Sequence, residues 1–286
     1  MTDKHQADLN GKDKALSKAK RKAETEAAFR AKRKARKHEL IAIHNAAVDE
    51  ANAGKPKATF EIGFKARRVR RDGKVENLPP EFSRLLKACE ELIDNKKRFP
   101  SLYAWGGDGI NNIQCRTVLS RVLACLLTNS DLIGGRIGEP TESGIKPISY
   151  DQIQEDYALR FGKFLSPNSC ANAIRNLKLA GYIQTARINV CVDELEGSVR
   201  SAPAYKQFTD VFFNDLKVSR YTNIADLILA TRDRNEKKGL RYVWRSFREL
   251  AGKVQEIYNA SKLNELAEHT KTVFQSTTAV PTAIPY

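Results

Sequence analysis

The sequence lacks a long hydrophobic run and contains few cysteines. Its longest purely apolar stretch, Val122 to Leu127, has six residues, whereas a membrane-spanning helix needs about 20, so we expect no transmembrane segment. The N-terminus carries lysines and never reaches an apolar core, which argues against a secretory signal. The five cysteines form no CxxC pair, a pattern typical of reduced thiols in a cytosol. We therefore expect a cytoplasmic protein with no disulfide scaffold, no zinc ribbon and no membrane partner.

Signatures of common enzyme classes are also missing. The four histidines form no HxH or HExxH pattern, and the chain has no GxxxxGK[ST] loop and no GxSxG motif. Zincin chemistry is therefore excluded, and neither ATP hydrolysis nor serine-hydrolase chemistry is supported. We expect a protein that is not an enzyme and that uses neither a metal nor a cofactor. One alternative stays open, a two-metal nuclease whose carboxylates are scattered without a readable signature.

Positive charge is what the sequence has in excess. Its 286 residues include 49 Lys+Arg and 34 Asp+Glu, a formal charge of +15, and residues 1–80 hold +10 of it. Between Lys12 and Lys37 lie 12 basic and 3 acidic residues, which predicts a basic arm over 1–54, helical or disordered. A Lys or Arg that neutralises a phosphate releases a counterion, so we expect the arm to bind nucleic acid. The alternative is a solvated tail that binds nothing.

The next region, 55–112, is predicted to be a small α/β region, with a degenerate winged helix as one interpretation. A second basic cluster, 65–74, surrounds an Asp72-Gly73 turn signal, and the apolar residues from Phe60 onward predict a strand that enters a hairpin there. Helical spacing predicts a helix over 81–97. The Gly- and Asn-rich stretch 99–112 is predicted to be a loop.

A winged helix-turn-helix domain is predicted over 113–215. A buried helix at 117–127 precedes an irregular passage at 134–147, a short helix near Ser149-Tyr150 and a helix over 167–180. Ser166 and Pro167 are start signals for that last helix, and Gly181 is a stop signal. Segments 182–190 and 205–213 are predicted strands, joined by a loop at 194–203. In a winged helix the second helix of the pair enters the DNA major groove; a small α/β unit with the same element order is the alternative.

The C-terminal region, 216–275, is predicted to be helical. Apolar residues from Leu240 to Ile257 recur every three or four positions, and Arg241 and Arg245 lie on the opposite face. The Thr/Ala/Pro-rich tail, 276–286, is predicted to be disordered. The expected fold class is therefore mainly α with small β hairpins, an α+β protein with a winged-helix core.

Two stretches resemble a known family. The segment Ser166 to Ile183 with its following hairpin, and Leu240 to Arg248, are similar to RepA-type replication initiators of low-copy bacterial plasmids, the IncFII-like group. The resemblance covers about 113–260. It implies a non-enzymatic protein that binds the plasmid origin, helps to open the duplex and recruits the host initiator and replicative helicase machinery. Members of the group tend to have an arginine-rich C-terminus, whereas this chain carries its lysines at the N-terminus.

The helix over 167–180 supplies the predicted base-reading face, because Asn pairs bidentately with adenine and Arg with guanine. The predicted base-reading residues are Asn168, Ser169, Asn172, Arg175 and Asn176. Phosphate contacts position a protein without specifying sequence, and the residues predicted to make them are Lys163, Lys178, Arg187, Lys32, Arg33, Lys34, Arg36, Lys37, Arg67, Arg68, Arg70, Arg71, Arg241 and Arg245.

The expected partner is double-stranded DNA of a plasmid origin. A winged-helix transcriptional regulator stays open, because it needs the same kind of site as an initiator. A basic RNA-binding protein also stays open, although the sequence has no RNP-type aromatic strand. A homodimer is compatible with the sequence, which does not determine the oligomeric state.

Overall fold

The structure, a computed structural model, describes residues 3–54, 60–194 and 197–277. The described chain is mainly helical, with antiparallel two-stranded sheets, so the predicted α+β class is confirmed. It forms two compact units: unit 1 combines 1–99, 108–128 and 150–176, and unit 2 combines 100–107, 129–149 and 177–286. Within the described ranges, no helix has the length and apolar character to cross a membrane. The predicted disordered tail lies, except for its first two residues, outside the described residues, as do 55–59.

Unit 1 is built around a long N-terminal helix. Its elements are α1 (Asp3–Asn52), β1 (Arg67–Val69), β2 (Val75–Asn77), α2 (Glu81–Glu90), α4 (Ile113–Thr128), α5 (Tyr150–Phe161) and most of α6 (Pro167–Leu179). Leu40 and Ala47 lie two turns apart on α1 and are buried together with Ala158 and Leu159 of α5. This apolar stripe fixes the second half of α1 against α5.

The hairpin predicted around Asp72-Gly73 is confirmed, because β1 pairs antiparallel with β2 from Arg67↔Asn77 to Val69↔Val75. The strand predicted to begin at Phe60 is wrong, since 60–66 lies outside the strands. Ile62 is nevertheless buried in the α1–α5 core. The apolar residues there fill a core from an irregular segment instead of pairing in a sheet.

Unit 2 holds the longest hairpin among the described residues. Its elements are α3 (Pro100–Trp105), β3 (Gly138–Thr141), β4 (Gly144–Pro147), β5 (Ile183–Asp193), β6 (Ser198–Phe208), α7 (Asp210–Leu216), α8 (Thr222–Glu236) and α9 (Phe247–Thr277). Every second residue of β5 from Ile188 to Val192 is buried, and this face packs against Leu250 and its neighbours on α9. Residues 135–137 add a short antiparallel pairing to the end of β6, where the Ile137 N–H donates to the Lys206 carbonyl at 2.8 Å.

Three predicted boundaries are wrong. The helix expected over 81–97 ends at Glu90. Residues 100–105, expected as loop, form α3, whose first amides donate to the Asp215 carboxylate (2.8 Å) and the Tyr182 hydroxyl (3.2 Å). The irregular passage 134–147 contains the β3–β4 hairpin. For α3 the partners, Asp215 and Tyr182, lie far along the chain and cannot be read from the local sequence.

The second predicted strand of the long hairpin is shifted. It begins at Ser198, inside the expected loop 194–203, and ends at Phe208. The chain then enters α7, where the Phe212 ring stacks on the Phe208 ring at a centroid distance of 4.2 Å. Phe208 and Phe212 were both expected on one strand. Phe208 instead ends β6 and Phe212 lies in α7, and their rings pack against each other.

The helix predicted over 240–257 is wrong in its first half. Residues 241–245 run along the β3–β4 hairpin: the Arg241 N–H donates to the Thr141 carbonyl at 2.9 Å, and the Ile145 N–H donates to the Val243 carbonyl at 2.6 Å. The Trp244 ring packs on Tyr205 at 4.9 Å. The helix begins only at Phe247, because pairing with a hairpin a hundred residues earlier overrides the helical spacing.

Candidate nucleic-acid interface

The helix α6 forms where the sequence signals place it. The Ser169 N–H donates to the Ser166 hydroxyl oxygen at 3.0 Å, and the Cys170 N–H donates to the Ser166 carbonyl at 3.0 Å. Ser166 is therefore the N-cap, and Pro167 occupies the first helical position, where its missing N–H costs nothing. The chain leaves the helix through Gly181, whose φ of 73° favours glycine.

The helix has two distinct faces. Cys170, Ala173, Ile174 and Leu177 are buried. The opposite face is exposed, and its described residues are Asn168, Ala171, Asn172, Arg175, Lys178 and Leu179. Because these positions recur every three or four residues, they form one continuous strip along the helix. We call these six residues the α6 strip.

The predicted base-reading residues divide between the strip and its edge. Asn168, Asn172 and Arg175 are exposed on the strip. Among the described residues, none of these three side chains has a hydrogen-bond or ion-pair partner. Ser169 and Asn176 are half-buried, and the Ser166 hydroxyl donates to the Ser169 hydroxyl at 2.8 Å. Ser169 therefore takes part in the helix cap, and the strip centres on two asparagines and one arginine.

Three predicted phosphate contacts lie at or beyond the ends of α6. Lys163 precedes the helix, Lys178 is in its last turn and Arg187 is on β5, and all three are exposed. The adjacent Phe164 is 41% exposed, and its ring stacks on His38 of α1 with a centroid distance of 5.5 Å and an interplanar angle of 7°. The sequence prediction missed this stack, since nothing in the chain relates residue 38 to residue 164.

The predicted phosphate-binding residues of α1 fall into two groups. Lys32 and Lys34 are exposed. Arg36 pairs with Glu39 at 2.8 Å, and Arg33 lies 3.8 Å from Asp151. Lys37 is 4% exposed and its ammonium lies 2.7 Å from Asp151, so it is not available to a phosphate.

The arginines of the β1–β2 hairpin are engaged with nearby side chains. Arg67 lies over the Phe60 ring at 4.6 Å, Arg68 and Arg70 both bind Glu76, and Arg71 pairs with Glu155 of α5 at 2.7 Å. Partial burial raises the pKa of Glu76, but the hydrogen bonds from Arg70 and Arg68 outweigh it and hold this pKa below its usual value. The net charge of this hairpin is therefore smaller than its arginine count suggests.

The predicted arginines of the C-terminal region differ in availability. The Arg241 side chain is exposed. Arg245 is half-buried, and its guanidinium donates to the Thr141 hydroxyl at 2.8 Å. Arg241 is therefore more available to a phosphate than Arg245.

Within the described ranges, no group of three or more His, Cys, Asp or Glu side chains is arranged to hold a metal ion. Comparison of the chain with protein-family models, with curated proteins and with solved structures finds no match.

Proposed function

We propose that this chain is a plasmid replication initiator that binds origin duplex DNA sequence-specifically through α6. One observation carries the proposal: the α6 strip presents Asn168, Asn172 and Arg175 to solvent, while the opposite face of the same helix is buried. A helix fixed to its protein by one face, with amide and guanidinium groups free on the other, has the form that reads base edges in the major groove.

The spacing of the strip fits neighbouring base pairs. From Asn168 to Arg175 the helix rises about 10 Å at 1.5 Å per residue, which equals about three base pairs of duplex at 3.4 Å each. Asn binds adenine bidentately and Arg binds guanine. The proposed site therefore contains two adenines and one guanine within a few base pairs, contacted in the order of the helix.

The element order supports a winged helix. Between α4 and α5, residues 135–137 pair with the end of β6. The chain then continues through α5, α6, β5 and β6. The proposed phosphate contacts are Lys163, with Lys32 and Lys34 of α1 adding further charge, in unit 1, and Lys178 and Arg187 in unit 2.

The origin as target, duplex opening and recruitment of the host initiator and helicase follow from the resemblance to RepA-type initiators. The same binding site would serve a transcriptional regulator. Deleting the gene from its replicon separates the two, because loss of an initiator stops replication while loss of a regulator changes transcript levels and leaves replication intact.

The first experiment is footprinting on fragments of the encoding replicon, with scrambled duplex and folded RNA as competitors at two salt concentrations. We expect one protected duplex whose protection survives the higher salt. Arg175→Ala should cost about 1–3 kcal/mol on that site and relax the preference at one base pair. The matched control is Arg84→Ala, which removes an exposed arginine from α2 in the same unit. Equal loss on cognate and scrambled DNA, or preference for RNA, would overturn the proposal.

A further inference from the structure

In unit 1, α1 contacts both α5 and the segment that leads from α5 into α6. We call the second half of α1, which packs against α5, the docked part of α1. In this part, His44 Nδ1 lies 2.7 Å from the Leu159 carbonyl, near the C-terminal end of α5. A turn and a half earlier on α1, His38 stacks on Phe164. The chain leaving α5 therefore travels back along α1 toward its N-terminus before α6 begins.

The start of the docked part of α1 is held by ion pairs. Asp151, in the first turn of α5, lies 2.7 Å from Lys37 and 3.8 Å from Arg33. Described residues from 23 to 35 on α1 are all exposed, so the helix leaves the body of unit 1 near Arg33. This exit is near the N-terminal end of α6, because His38 stacks on Phe164 and Phe164 is only two residues before Ser166, the N-cap of α6.

Two lysines flank this stack. Lys34 is one turn before His38 on the same face of α1, and Lys163 precedes Phe164; both side chains are exposed. We call Lys34, His38, Lys163 and Phe164 the junction. Within the described part of the chain, neither lysine of the junction has an acidic partner, so both charges are available to a phosphate backbone.

We propose that the junction directs the part of the basic arm before Arg33 along the phosphate backbone on one flank of the DNA site. This flank is the one next to the N-terminal end of α6. This inference rests on the proposed function. From Arg33 back to Lys12 the helix extends about 30 Å, which matches about nine base pairs. Protection by the arm is therefore one-sided, and its direction is set by the orientation of α6.

The test uses chemical cleavage from two positions on the arm. Cys115 and Cys191, the exposed cysteines, are replaced by serine, and an iron chelate is attached at Ala31→Cys or Ala23→Cys, both exposed positions. The target is a fragment with a single footprint. Asn168→Ala and Arg175→Ala each relax a different base pair, and the order of these two base pairs gives the direction of α6 on the DNA.

We expect both chelates to cut only the flank on the Asn168 side. The eight residues between the two positions correspond to about 12 Å of helix, so the Ala23→Cys cuts should lie about three to four base pairs further out than the Ala31→Cys cuts. Phe164→Ala should spread the cuts over more base pairs, whereas Phe164→Tyr, which keeps the stack, should leave them sharp.

Two further variants test the charge. Lys32→Gln with Lys34→Gln should weaken the cuts on the flank and reduce the slope of log affinity against log salt by about 2, while the footprint of α6 remains. The matched control is Lys87→Gln with Lys253→Gln, two exposed lysines on α2 and α9. Three results would overturn the inference and leave the proposed function intact: cuts on both flanks, cuts on the Arg175 side, or cuts at the same base pairs from both chelates. Absence of any footprint would instead overturn both.

Discussion

Lys37 and Asp151 form an ion pair inside unit 1. The Lys37 ammonium lies 2.7 Å from Asp151 Oδ1 with a side chain only 5% exposed, and it donates to Gln154 Oε1 at 2.6 Å. Removal of the carboxylate alone leaves a buried cation without its counter-charge. We expect Asp151→Ala to lower the free energy of unfolding by about 2–3 kcal/mol. This is less than the cost of breaking a fully buried ion pair, because the Asp151 side chain is 30% exposed. Urea unfolding measures the change.

The double variant Lys37→Met with Asp151→Ala is the control for this prediction. It removes both charges and keeps an apolar chain in the α1–α5 contact, so it should recover at least half of the lost stability. Equal losses in the single and double variants would contradict an ion pair that holds the helix in place. Arg33→Ala should cost less than about 0.5 kcal/mol, since its side chain is 64% exposed.

Ala171 is the smallest side chain at the centre of the α6 strip. A carboxylate at this position would face the phosphates and the acceptor-rich base edges, so we expect Ala171→Glu to weaken DNA binding at least about tenfold. Stability should change by less than about 0.5 kcal/mol, because the position is exposed. Ala260→Glu, at an exposed position of α9, adds the same charge as a control. Binding affinity and urea unfolding are measured on both variants; similar affinity losses in the two would point to net charge alone.

His44 makes unit 1 sensitive to acid. Burial lowers the pKa of His44 from its ordinary value of 6.5, and the hydrogen bond to Leu159 only partly offsets this. Below about pH 6.5 the unfolded chain then binds a proton that the folded chain rejects, so stability falls as the pH is lowered. His44→Asn keeps a donor near the Nδ1 position and does not titrate. It should flatten the stability profile between about pH 6.5 and 5, measured by unfolding across pH; an unchanged slope would contradict the assignment.

The cysteines should divide by reactivity. Cys115 and Cys191 are exposed, while Cys89, Cys125 and Cys170 are buried. Burial raises the pKa of Cys89 to about 12 and also raises that of Cys125, so neither forms the reactive thiolate near neutral pH. A disulfide reagent should label two thiols of the native protein quickly and all five only after unfolding. Fast labelling of a third thiol would show that the buried side of α2, α4 or α6 opens in solution.

Local sequence signals were sufficient to predict the elements whose start and stop residues lie in the sequence next to them. The α6 helix has a serine cap, a proline in its first turn and a glycine stop, and its buried and exposed faces follow from helical spacing alone. The Asp72-Gly73 turn was readable for the same reason. These features depend on neighbours within a few residues, which the sequence displays directly.

Long-range pairing was not readable. Residues 241–245 have helical periodicity, yet their backbone groups pair with the β3–β4 hairpin. Lys37 belongs to a basic run that predicts phosphate binding, but Asp151 and Gln154, far along the chain, hold its ammonium. In both cases the partner decides the outcome, and a single sequence does not show which partner a residue has.

Gly144 shows how such a pairing limits the sequence. Its φ is 117°, and a Cβ atom built there would lie 2.7 Å from the Val243 carbonyl oxygen. A side chain at this position is therefore excluded both by backbone conformation and by the segment that crosses it. The pairing between this hairpin and residues 241–245 therefore depends on glycine at position 144. Any side chain there would loosen a contact that joins parts of the chain about a hundred residues apart.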